Sequence, residues 1–148
     1  MMLHASAFAY EGAGCLVLGE AGSGKSTFLA HALLLGAKLI ADDQVMLRAD
    51  DGQLIASVPD TLAGIIELYG LGIISHPHVA SHPVHLVVAL EKGEAERLPE
   101  PQQVKYCGLT LPFVRLVSPS TSQVSSLLLY LKAVQEHRIL PTDWRPER

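Results

Sequence analysis

"GEAGSGKST" occupies Gly19–Thr27 of a 148-residue chain, and how it is read decides the fold. Its first eight residues fit the Walker A pattern G-x-x-x-x-G-K-[ST]. In that pattern Gly19, Gly22 and Gly24 let the backbone turn its N–H groups inward around a polyphosphate, and Lys25 reaches the outer phosphates. The flanks agree with the motif. Gly14 to Leu18, "GCLVL", reads as a short buried strand, and from Lys25 onward Phe28, Leu29, Ala32 and Leu33 fall on one face of a helix ending at Gly36. A flexible Gly/Ser turn that happened to carry Lys-Ser would have no reason to sit between such a strand and such a helix.

Working outward, Met2 to Tyr10 suits a strand that turns at Glu11–Gly14 into "GCLVL", so a β-hairpin precedes the loop. "KLIADDQVML" follows the helix as a strand, and Asp51-Gly52 between "QVMLRA" and "QLIASV" marks an antiparallel hairpin. Asp60 is placed to cap a short helix running to about Leu68. "PVHLVVALE" reads as a buried strand ending in the solvated run "EKGEAERLPEP", and two more strands lie around "QQVKYC" and "LTLPFVRLV". In the last helix Val124, Leu127, Leu128, Leu131 and Val134 form an apolar stripe. Such a stripe is usually core; shared between copies, it would let the segment from Ser120 to His137 contribute to self-association. The expected fold is α/β, a mixed sheet around a P-loop, in one domain over 1–148, a length that buries about 68–70% of the unfolded surface.

Composition narrows the function classes. With 49% hydrophobic and 18% charged residues the chain is globular, and a formal charge of -4 supplies no basic footprint for nucleic acid. Apolar runs break before about 18 residues and the N-terminus lacks a basic flank with an apolar segment, so no membrane partner and a cytoplasmic location are expected. Cys15 and Cys107 offer neither a disulfide framework nor a metal knuckle and read as packing residues.

Phosphoryl transfer also needs a divalent ion and a group that orients or deprotonates the nucleophile. "LIADD" delivers Asp42 and Asp43 to the end of an apolar strand, 17 and 18 residues after Lys25 and one helix away from the loop. Adjacent aspartates often open a turn, but the strand-like "QVML" that follows disfavours one here. One of the pair is suited to hold Mg²⁺ with Ser26, leaving the other free as base.

At this point the chain resembles the catalytic domain of HPr kinase/phosphorylase. His4 in "LHASA", "GEAGSGKS", "LIADD" and "IIELYGLGII" occur in that family's order and approximate spacing over Leu3 to Ile74. Weaker similarity continues through "LVVALE" and "GLTLPFVRLV" to the last helix. The chain looks like a short form without the family's N-terminal domain. The resemblance implies a nucleotide-binding domain related to that of phosphoenolpyruvate carboxykinases. It also implies an ATP-dependent kinase for a serine of HPr or an HPr-like phosphocarrier of the phosphotransferase system, one that in many members also removes the phosphate by phosphorolysis. Carried onto this chain, Gly19, Glu20, Ala21, Gly22, Ser23, Gly24, Lys25, Ser26 and Thr27 bind ATP, and Ser26, Asp42 and Glu67 serve Mg²⁺. Asp43 becomes the general base, with Asp42, His4 and Lys25 completing the catalytic set. A homo-oligomer, a hexamer in the family, is implied as well.

Two positions depart from the family pattern. Thr27 stands where the family usually has Glu, and Tyr69 where it has Arg, which removes a carboxylate near the metal and a bidentate phosphate partner. "SPSTS" also stands where longer members carry a Gly-Arg signature. These departures bear on the reverse reaction and on the choice of acceptor more than on ATP binding. His76, His78, His82 and His85 lie within ten residues, but two His-Pro pairs favour an extended loop whose side chains diverge, so a mobile loop facing the acceptor is expected over a metal site. Two other function classes compete. One is an ATP-binding regulatory module impaired in transfer, against which Asp42-Asp43 argues; the other is a small-molecule kinase, which would want a basic pocket that the few arginines do not supply.

Overall fold

The computed structural model describes residues 1–20, 22–117 and 120–146. The chain opens with β1 (Met2–His4), β2 (Ser6–Tyr10) and β3 (Ala13–Leu18), followed by α1 (Lys25–Leu34) and β4 (Lys38–Ala41). Next come β5 (Gln44–Asp50), β6 (Gln53–Ser57), β7 (Ile65–Leu68), β8 (Gly72–Ser75), β9 (Ser81–Pro83) and β10 (Leu86–Glu91). A hairpin of β11 (Gln102–Tyr106) and β12 (Leu109–Val117) leads to α2 (Thr121–Gln135). A central six-stranded sheet has the order β11-β12-β10-β3-β2-β4, and a four-stranded sheet the order β1-β5-β6-β9. In the central sheet β3, β10 and β12 run parallel while the other pairs are antiparallel, so the sheet is mixed as expected.

Alternation along each central strand fills two separate cores. Cys15 and Val17 of β3, Phe8 of β2 and Leu86, Val88 and Leu90 of β10 face the helices, where they meet Phe28, Leu29, Ala32, Val124, Leu127, Leu128 and Leu131. Leu16, Ala7, Ala9, Ile40 and Val87 point the other way, onto Val45, Leu47, Leu54 and Ala56 of the four-stranded sheet. Covering both faces explains why β3 and β10 read as continuous apolar runs with no polar alternation. The stripe of α2 is therefore interior: Val124, Leu127, Leu128 and Leu131 are buried within this chain. It cannot also serve a subunit contact, so any contribution of α2 to self-association falls to its outer face, where Leu129 is exposed.

Several expectations need correction. From Asp60 only a single 3-10 turn forms, Asp60–Leu62 with no side-chain cap, and Ile65–Leu68 is a strand paired with β8. Gly64 at φ +71 breaks the helical path, and its Cα packs where an added Cβ would lie 2.9 Å from the His76 carbonyl oxygen. "KLIADDQVML" is two strands in two different sheets, kinked at Asp42-Asp43, with Asp43 at φ 74. Aspartate tolerates this left-handed conformation better than most residues, and the Ala5 N–H donates to the Asp43 carbonyl at 3.2 Å. Cys15 is buried, and burial pushes its thiol far up, which leaves it inert. Cys107, in contrast, is exposed in the β11–β12 turn.

The histidine segment is built into the sheets. Val79 N–H donates to the Leu39 carbonyl at 2.9 Å, β9 pairs with β6, and Gly14 N–H donates to His85 Nδ1 at 2.9 Å. Among the described residues no group of three or more His, Cys, Asp or Glu is arranged to hold a metal. Gly14 is a close approach point, where an added Cβ would lie 1.8 Å from the Pro83 carbonyl oxygen. Gly14→Ala is therefore expected to destabilise the fold by about 3 kcal/mol, the upper end of overpacking costs, which urea midpoints will register.

The brace at His85 has a pH signature. Burial, then His82, then Lys132 hold its imidazole below the ordinary value of 6.5. A depressed pKa means the unfolded chain takes up the proton first, so the stabilisation is complete above about pH 6.5 and is lost as pH falls through the folded-state value. Urea midpoints should drop between pH 7.5 and 5.5, and the drop should be smaller in His85→Asn, whose Oδ1 still accepts from Gly14 N–H but does not titrate.

Candidate functional site

The loop from Gly19 to Gly24 joins β3 to α1, as its sequence context requires. Gly22 and Gly24 take φ of 81 and 94, open to glycine without strain, and Gly24 is the N-cap of α1 with no side chain capping it. The first N–H groups of the helix therefore point into the loop unpaired by any capping side chain and carry the positive end of the helix dipole. Gly19 leaves room for Ser23, whose Oγ would lie 2.2 Å from a Cβ at that position. Ser23 N–H donates to the Glu20 carbonyl at 2.9 Å, while Ser23 Oγ is buried with no hydrogen-bond partner among the described residues. An orphaned buried hydroxyl beside an uncapped helix start is a donor set waiting for an anion. Ala21 lies outside the described residues.

Lys25 and Asp42 form the buried polar centre. Lys25, only 8% exposed, donates from Nζ to the Gly19 carbonyl at 2.5 Å and the Glu20 carbonyl at 3.4 Å. Asp42, equally buried, accepts at Oδ1 from Ser6 Oγ (3.0 Å) and Ser26 Oγ (3.1 Å), and at Oδ2 from Glu67 N–H (3.3 Å). Three segments of chain, β2, α1 and β7, thus converge on the carboxylate at the end of β4. Glu67 reaches it through the backbone, while its own side chain is exposed on β7. Ser6 was not singled out by sequence. The only signal was a serine inside an apolar strand two residues after His4, and its partner is 36 residues away.

Asp43 lies beyond the kink, on the open side. Its Oδ1 is 3.0 Å from His4 Nδ1, with 65% of the Asp43 side chain and 55% of the His4 side chain exposed. His4 Nε2 is 3.5 Å from Lys25 Nζ. An ammonium group has only hydrogens to offer, so Nε2 accepts, and Nδ1 carries the proton that it donates to Asp43. One tautomer of His4 satisfies both contacts and links the buried cation to the exposed carboxylate.

An open cleft of about 1050 Å³ lies on the other flank of the loop, between α1, the end of β10 and the start of α2. Thr27, Phe28, His31, Glu91, Lys92 and Val124 are among its lining residues. Thr27 thus faces this cleft and takes no part in the Asp42 cluster.

Comparison with known proteins identifies the family and the fold. The sequence model of the HPr Serine kinase C-terminal domain family matches residues 1–138. The HPr kinase/phosphorylase of Clostridium novyi (strain NT) is 34% identical over 93 residues, 58% of this chain and 30% of that protein. That of Clostridium botulinum (strain Eklund 17B / Type B) is 42% identical over 72 residues, 49% of this chain and 24% of that protein. The matched segments thus span less than a third of these relatives. The solved Hpr(Ser) kinase/phosphatase from Coxiella burnetii is 27% identical, with a TM-score of 0.76 over 93% of this chain and 90% of that one. With a family model covering nearly its whole length and a fold to match, the chain belongs to the HPr serine kinase C-terminal domain family.

Proposed function

We propose that the protein transfers the γ-phosphoryl group of ATP to a serine of an HPr-like phosphocarrier protein. The observation that carries this reading is the His4 link, which ties an exposed carboxylate, Asp43, at 3.0 Å to the cation of a glycine-rich loop, Lys25, at 3.5 Å. A base and a phosphate-binding cation held side by side are what an in-line transfer to a hydroxyl requires. On this reading the loop backbone, Ser23 Oγ and the start of α1 cradle the phosphates, and Lys25 turns from the Gly19 carbonyl to their outer oxygens. Asp43 takes the proton from the serine Oγ as that oxygen bonds to the γ-phosphorus and ADP departs. His4 donates to Asp43 and so holds its carboxylate in position.

Mg²⁺ fits the Asp42 cluster, because a buried carboxylate beside the Ser26 hydroxyl is an all-oxygen donor set of the kind this ion takes alongside phosphate. Asp42 and Ser26 would hold it, with Glu67 at the rim. When bound, it supplies neutralisation of phosphate charge. The relation to the phosphoenolpyruvate carboxykinase nucleotide domain, the cytoplasmic location and a homo-oligomeric, hexameric assembly belong to this reading as well. The reverse reaction, attack of inorganic phosphate on phosphoserine, is the less favoured direction, since Tyr69 is 94% exposed and carries no cation. Incubation with γ-labelled ATP and purified HPr tests the reading. Label on a serine of HPr supports it, and Mg-ATP binding without transfer would leave only a nucleotide-binding module.

A further inference from the structure

Sheet order gives the phosphate loop two different neighbours. The loop leaves the end of β3, which lies between β2 and β10 in the central sheet. On the β2 side stand β4 and the Asp42-Asp43 kink, with Ser6 of β2 bonded to the Asp42 carboxylate. On the β10 side lies the open cleft, which the catalytic reading leaves unused. Leu18, Ala89 and Leu90 line it at the C-terminal ends of β3 and β10, and these two strands run parallel. The carboxyl ends of parallel strands are where open α/β sheets bind their ligands. Thr27 and His31 also line the cleft from α1, and their spacing of four residues puts them on one helix face. Phe28 and Val124 add apolar surface. At the rim Glu91 is paired with Arg115, so its charge is already met, and the neighbouring Lys92 is exposed.

We propose that this cleft takes the adenosine half of ATP, with the base seated against the His31 ring. The inference rests on the kinase reading above and adds the side of the loop on which the nucleoside lies. In-line transfer puts the entering serine oxygen and the departing ADP oxygen on opposite sides of the γ-phosphorus. Asp43, as base, marks the entering side on the β2–β4 flank, so ADP leaves toward β10. A triphosphate held at the start of α1 then passes its ribose along Thr27. His31 stands six residues beyond Lys25, about 9 Å along the helix, within reach of the base. The cleft has the character of a small-molecule site, with an apolar lining, a few polar groups and a volume of about 1050 Å³ against the roughly 300–1,000 Å³ usual for such sites. The placement does not depend on a free outer surface. Gly19, Gly22, Ser23 and Gly24 of the loop form one wall of the cleft, and its occupant is the remainder of a molecule whose phosphates that loop is built to hold.

The test compares ATP with inorganic tripolyphosphate, both with Mg²⁺, since tripolyphosphate fills the phosphate cradle but carries no nucleoside. His31→Ala should raise the dissociation constant for ATP about tenfold, the loss of one base–aromatic stack, and leave that for tripolyphosphate within about twofold of wild type. Melting temperatures without nucleotide will show that the variant folds. Independently of any variant, photolabelling of wild type with 8-azido-ATP should place the adduct on α1, on β10 through Lys92, or at the start of α2. Wild-type ATP affinity in His31→Ala overturns the proposal, as does an equal loss for ATP and tripolyphosphate. So does an adduct on β1, β5 or β7, which would put the base on the flank assigned to the acceptor. The kinase reading fails separately. Mg-ATP binding with the expected dependence on His31 but no label on HPr overturns that reading and leaves the cleft as a nucleoside site, whereas normal transfer to HPr by a protein photolabelled outside the cleft overturns the cleft alone.

Discussion

Asp43→Asn is expected to bind Mg-ATP within a few-fold of wild type and to lose at least about 10² in phosphotransfer to HPr. A serine hydroxyl is a poor nucleophile near neutral pH, and a positioned carboxylate that accepts its proton contributes about 10²- to 10⁴-fold, roughly 3–5 kcal/mol of barrier. Asparagine keeps the shape and can still accept from His4 Nδ1, so the local geometry survives the loss of basicity. Asp42→Asn should behave differently. Asp42 accepts from Ser6, Ser26 and the Glu67 N–H, and an amide NH₂ turned toward those donors leaves a buried group unpaired. That variant should lose thermal stability and require more Mg²⁺. Single-turnover rates beside nucleotide titrations will separate the two, and a wild-type rate in Asp43→Asn would remove it from the role of base.

Lys25→Ala is expected to remove nearly all nucleotide-dependent stabilisation. Wild type at 100 times its dissociation constant should gain about 2.7 kcal/mol from bound Mg-ATP. Losing a charge-assisted contact worth up to about 3 kcal/mol weakens binding by roughly 100-fold, leaving about 0.4 kcal/mol at the same nucleotide concentration. In a chain of 148 residues the thermal shift should fall from roughly 8 °C to about 1 °C. The substitution also frees the Gly19 carbonyl and His4 Nε2, so the comparison is made against each protein's own nucleotide-free melting temperature. Equal shifts in the two proteins would place the phosphates elsewhere.

What sequence revealed and what it hid follow from the range of the interactions involved. Turn chemistry is local: Glu11-Gly12 and Asp51-Gly52 both adopt positive φ, and both hairpins were legible from these pairs. Cys107-Gly108 makes the same kind of turn with φ of 52 and 79, but cysteine carries no left-handed preference, so it read as strand and core. The strand-loop-helix unit was legible because glycine spacing and apolar periodicity coincide there. The Asp60 to Leu68 segment misled because a good N-cap residue precedes it, while the pairing of β7 with β8 is what decides its conformation. The Asp42-Asp43 kink was missed for a related reason. Nothing nearby in sequence says that β4 joins one sheet and β5 another, with β1 as the partner of β5. Ser6 was hidden likewise, since its role exists only once β2 and β4 lie side by side.

The kink also gives the site a mechanical character. Asp42 closes a strand of the central sheet and Asp43 leads into the four-stranded sheet, so two consecutive residues are anchored in two bodies separated by a layer of small and branched side chains, Ala7, Ala9, Ile40, Val45 and Ala56 among them. A slip of one layer over the other cannot move both carboxylates together; it changes the span between them. On the proposed transfer reading the pair acts as a vernier on the seating of the two sheets, and a change in that layer too mild to unfold the protein is expected to register first in turnover.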